Sequence, residues 1–171
     1  VDLSNVAGAT RPGYTFEGWY TAATGGSLIG NSVTMPAGGA TYYAHWTADE
    51  QTINFDANGG TTTQGSISQA TDSTVDLSNV AGATRPGYTF EGWYTAATGG
   101  SLIGNSVTMP AGGATYYAHW TADEQTINFD ANGGTTTQGS ISQATDSTVD
   151  LSNVAGATRP GYTFEGWYTA A

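Results

Sequence analysis

Thr84-Arg85-Pro86-Gly87-Tyr88-Thr89-Phe90-Glu91-Gly92-Trp93-Tyr94-Thr95 is the stretch on which the fold turns, because its residues support two readings. Thr84 suits a helix N-cap, Pro86 suits a first helical turn, and Glu91 follows further along. Tyr88, Phe90 and Trp93 argue the other way, because aromatic residues favour strands. The two signals together predict one short helix over 86–91, then a strand over 92–95, with Gly92 at the join.

Outward from this stretch, the chain is periodic. The same residues start at Thr10, Thr84 and Thr158, so the period is 74 residues. Residues 1–74 and 75–148 are identical, and 149–171 begin a third copy. A period of this length indicates an array of small units. Each is near the lower size limit for a core that needs no staple. The polar run Thr121-Ala122-Asp123-Glu124-Gln125 lies between two strand signals and marks the expected boundary. The predicted organisation is therefore 1–50, the C-terminal part of a unit; 51–124, one complete unit; and 125–171, the N-terminal part of the next. Since the chain starts and stops inside repeats, it reads as a window in a longer protein.

Within 51–124, Ile53 and Phe55 alternate with polar residues, as in a half-buried strand. Asn58-Gly59-Gly60 breaks it with a turn. A weaker strand is expected around 65–69, completing a hairpin. Residues 114–121 carry the strongest strand signal, with Tyr116, Ala118 and Trp120 on the core face and Tyr117 and His119 on the other. In so small a unit the aromatics must supply most of the buried area. The candidate core is therefore Ile53, Phe55, Tyr88, Phe90, Trp93, Tyr116 and Trp120. Tyr94 and Tyr117 are the candidate surface contacts. Arg85 joins them, either paired with a carboxylate such as Asp76 or Glu91 or reaching a neighbouring unit. The expected fold class is α+β and β-rich, with at most one short helix per 74-residue repeat.

Composition narrows the function. The net charge is −11, and the three basic residues are all Arg. Nucleic-acid binding needs a basic surface and is excluded. Anionic membranes are disfavoured for the same reason. No apolar run is long enough to cross a membrane, so no insertion of this segment is expected. Without cysteine there are no disulfides or thiolate metal sites. Asp56-Ala57-Asn58-Gly59 resembles the start of a calcium loop, but the twelfth position is Ile67, which offers no side-chain oxygen. His45 and His119 stand alone, one per repeat. There is no Gly-x-Ser-x-Gly elbow, and the carboxylates are scattered or adjacent in the linker. No enzyme activity, metal or cofactor is expected.

Several blocks of the unit, in register, resemble the Listeria–Bacteroides repeat, the B-repeat of internalin-type bacterial surface proteins. These are 53–60, 84–95, Gly99-Gly100 and 109–120. The resemblance implies a β-grasp-like, ubiquitin-like module strung in tandem in secreted or wall-attached proteins, with no catalytic residues. It implies a stalk or fibre segment acting as spacer, or an adhesion module binding glycan or host protein through exposed aromatics. The expected partners are neighbouring repeats of the same chain and, where part-units complete one another, other copies head to tail. A glycan or host protein is the candidate external ligand.

Overall fold

A computed structural model describes residues 1–169. The strands are β1 Tyr14–Tyr20, β2 Tyr43–Ala48, β3 Glu50–Asp56, β4 Ser66–Ala70, β5 Thr74–Asp76, β6 Tyr88–Tyr94, β7 Ser106–Thr108, β8 Ala114–Ala122, β9 Glu124–Asn128 and β10 Ser140–Ala144. There is no helix among the described residues, so the α+β expectation is corrected to an all-β fold. A helix over 86–91 does not form, and the β-grasp-like, ubiquitin-like description that depends on one does not hold.

The local chemistry explains the correction. Arg85 and Tyr88 close a β-bridge, and the Tyr88 amide donates to the Arg85 carbonyl at 3.1 Å. Between them Pro86 fills the second turn position, and Gly87 at φ 75° fills the third. That is the type II pattern, where only glycine accepts a positive φ without strain. Pro86 therefore starts a turn rather than a helix. The strand that follows covers the whole aromatic run, and a bulge between Phe90 and Gly92 shifts its register against β8. A bulge puts two residues opposite one. Phe90 and Trp93, three apart, therefore both face the core.

The central sheet has the order β4-β3-β8-β6. β3 and β4 form the antiparallel hairpin, and β6 is antiparallel to β8. β3 and β8 are parallel neighbours. Ile53, Phe55, Trp93, Tyr116 and Ala118 are buried on its inner face. β5 and β7 form a small antiparallel pair, and Val75, Leu77, Ala83 and Met109 close that face. Phe90 and Trp120 are half-buried against the cluster, with their rings 5.6 Å apart edge to face. The two-stranded pair β1-β2 precedes this unit in the chain, and the pair β10-β9 follows it.

Candidate functional site

The residues singled out from sequence fall in two places. Ile53, Phe55, Trp93 and Tyr116 lie in the core, with Phe90 and Trp120 at its margin. Tyr88 does not lie in the core. It is half-buried beneath the Arg85 guanidinium, whose carbon sits 3.6 Å from the ring centre. Arg85 pairs with neither Asp76 nor Glu91. It reaches Asp146, at 3.7 Å, across the expected unit boundary.

That contact belongs to a joint built twice. β8 passes to β9 through Asp123 alone, and β2 passes to β3 through Asp49 alone. The Asp123 amide donates to the Gly87 carbonyl at 2.9 Å, and the Asp123 carbonyl accepts from the Thr145 amide at 2.8 Å and hydroxyl at 3.0 Å. The Thr89 hydroxyl donates to the Asp123 carboxylate at 2.6 Å, and the Tyr88 hydroxyl to the Asp146 carboxylate at 2.7 Å. At the earlier joint the same roles fall to Gly13, Thr15, Tyr14, Asp49, Thr71 and Asp72, with distances of 2.9, 2.6 and 2.7 Å at the corresponding first, Thr15 and Tyr14 bonds. Arg11 lies over Tyr14 and reaches Asp72 at 3.2 Å. Exposed ion pairs contribute about 0–1 kcal/mol. The backbone bonds, at about 0.5–1.5 kcal/mol each, therefore hold the joint, and the charges orient it.

Hydrogen bonding to Asp146 raises the Tyr88 pKa above its ordinary value, and Asp72 does the same for Tyr14. Burial raises that of Tyr116. A raised tyrosine pKa means that the hydroxyl donor is fully in place below the ordinary value of 10.0 and is lost only as pH climbs through the raised one. Absorbance titration at 295 nm should therefore show tyrosines ionising late, and Tyr14→Phe with Tyr88→Phe should remove part of that late fraction. An unchanged titration curve in the double variant would contradict the assignment.

The outer face of β6 and β8 carries the remaining candidates. Tyr94 and Tyr117 are register partners, both half-buried. Tyr94 stacks on His119 with centroids 3.9 Å apart. The His119 Nε2–H donates to the Ala96 carbonyl at 2.9 Å, which fixes its tautomer, because a carbonyl can only accept. Leu102 bridges to Tyr94 and is 58% exposed. Tyr20, His45 and Leu28, the last 57% exposed, repeat the arrangement. Sequence reasoning missed the two leucines; the signal available was a Leu between two turn runs with no alternating neighbour. Asp56 Oδ1 accepts from the Asn58 amide at 2.8 Å, a turn bond. No group of three His, Cys, Asp or Glu residues that could hold a metal ion occurs among the described residues.

The family model for the Listeria-Bacteroides repeat domain matches residues 2–45, 52–119 and 126–171. Internalin H of Listeria monocytogenes is 41% identical over 117 residues, 67% of this chain and 20% of that protein. A protein described as a Gly-rich membrane protein of Evansella cellulosilytica is 30% identical over 171 residues, 93% of this chain and 19% of its own length. A second, described as a membrane protein of the same organism, is 25% identical over 161 residues, covering 93% and 24%. The chain thus spans about a fifth of the length of the relatives it matches. No solved structure matches it.

Proposed function

The chain belongs to the Listeria-Bacteroides repeat domain family, and from that premise we propose that its units form a spacer whose joints fix the angle between neighbours. It is a tandem-repeat, non-catalytic module of a bacterial cell-surface or secreted protein. Among the described residues, no helix is long and apolar enough to cross a membrane. The unit proposed is 51–124, flanked by parts of its neighbours at 1–50 and 125–171. The observation that carries the spacer reading is the joint itself. Two copies, 74 residues apart, repeat their hydrogen bonds within a tenth of an ångström at Asp49 and Asp123. A one-residue linker bonded on both sides leaves little freedom to bend. Adding units then lengthens the array without changing its chemistry.

Small-angle scattering checks this. The native chain is expected to scatter as one elongated body of fixed dimension. Inserting Gly-Ser-Gly after Asp49 and after Asp123 should broaden the distance distribution while leaving circular dichroism unchanged. A native chain that already scatters as freely jointed bodies would refute the fixed joint.

A specific observation also favours adhesion. The Leu102, Tyr94 and His119 cluster recurs as Leu28, Tyr20 and His45, so an array presents a series of partly apolar contacts with raised avidity. Such a surface suits a glycan or a host protein. On that reading, binding of the chain to a glycan array should fall at least tenfold in the Leu28→Ser, Leu102→Ser variant, as expected when two linked sites are weakened together. Binding that survives the substitutions intact would exclude this surface.

A further inference from the structure

We propose that the pairing of β3 with β8 is a mechanical clamp, so that the repeat resists tension along the array. This rests on the tandem reading only in that tension reaches the sheet through its neighbours.

Tension enters β3 at Glu50, one residue after the β2–β3 joint, and leaves β8 at Ala122, one residue before the next joint. β3 and β8 are adjacent and parallel, with Ile53 opposite Ala114 and Asp56 opposite Tyr117. Pulling the start of one strand against the end of its parallel neighbour slides the pair along its own axis. The evenly spaced slanted bonds of a parallel ladder are then strained together. An antiparallel hairpin pulled at its open end breaks its bonds one at a time.

Both ends of the clamp are braced by side chains. At the entry, Gln51 Oε1 accepts from the Gly112 amide at 3.0 Å. At the exit, Asn58 Nδ2 donates to the carbonyls of Ala118 and Ala97, both at 2.9 Å. Trp120 Nε1 donates to the carbonyls of Ala57 and Asn58, both at 3.1 Å. Ile53, Phe55, Tyr116 and Ala118 are buried, so water has little access to the loaded bonds from the core side. The rate of forced unfolding follows the unfolding barrier rather than equilibrium stability. A barrier set by many bonds breaking together is a mechanical property that burial alone does not confer.

The chain contains no cysteine, so paired cysteine handles can direct the force. Glu50→Cys with Ala122→Cys loads β3 and β8 in shear. Glu50→Cys with Ala70→Cys, register partners in β3 and β4, unzips the hairpin from its open end. In an optical trap at one loading rate, the shear pair should rupture at about three times the force of the unzipping pair or more, since four register pairs share the load. Its extension on rupture should approach about 240 Å, the reach of the extended chain between the handles. Asn58→Gly keeps the left-handed backbone at φ 47° and removes the brace. It should lower the shear force and leave the unzipping force unchanged. Equal forces in the two geometries, or an equal loss in both on Asn58→Gly, would overturn the clamp. A stiff chain in scattering with equal rupture forces would sink the clamp alone; a floppy chain with a high shear force would sink the fixed joint alone.

Discussion

Replacing Phe55 with alanine is expected to lower the stability of the four-stranded sheet by about 3–5 kcal/mol, the range for emptying a buried aromatic site. Phe55 is buried on β3, edge to face with Trp93 at 5.0 Å and tilted against Tyr116 at 6.2 Å. A unit of 74 residues holds roughly 4–11 kcal/mol in total. The substitution should therefore remove between about a quarter and all of that stability, lowering the midpoint of the urea transition seen by near-ultraviolet circular dichroism accordingly. The same unit supplies a control: Leu102 is 58% exposed. Leu102→Ala should cost less than half as much. Equal losses at the two positions would mean that burial does not set the contribution.

Gly113→Ala is expected to cost at least about 2 kcal/mol. Gly113 immediately precedes β8 at φ 73°, where an L side chain is strained by about 1–2 kcal/mol. A Cβ there would also collide with the Thr52 carbonyl oxygen on β3, which is backbone and cannot turn aside. Two neighbouring glycines separate these terms. Gly112 has φ 97° but open space around its Cβ position, so Gly112→Ala should show the strain without the collision. Gly104 has open space and no positive φ. Gly104→Ala should be neutral or slightly stabilising, because alanine restricts the unfolded chain. Thermal unfolding of the three variants should therefore rank 113 below 112 below 104. A Gly113→Ala melt equal to that of Gly112→Ala would show that β8 can retreat from Thr52.

The strands with period-two alternation were legible in the amino-acid order because the pleat has the same period. The phase break at Phe90-Glu91-Gly92-Trp93 was also visible, and was read as a helix–strand join. Pairing with β8 makes it a bulge, which exists only against a partner strand. Thr84 and Pro86 carry a real helix-start signal that the following Gly87 overrides by completing a turn. The joint was less accessible still. Arg85 has carboxylates near it in sequence at Asp76 and Glu91, yet its partner Asp146 is sixty-one positions along. Only the path of the strand through Asp123 brings the two together.

By itself, the sequence determined the repeat period, the strand-forming runs and the lack of basic, thiol or nucleophile chemistry, because these are properties of residue order and type. It could not determine which distant residues meet. Ile53 is fully buried because β8 lies beside β3, with Ala114 as its register partner. Tyr88 and Phe90 share one strand, yet Phe90 packs on the core while the Tyr88 hydroxyl reaches Asp146. Burial is a property of surfaces brought together from distant parts of the chain. In this protein those surfaces, and the joint that orients them, come from tertiary structure.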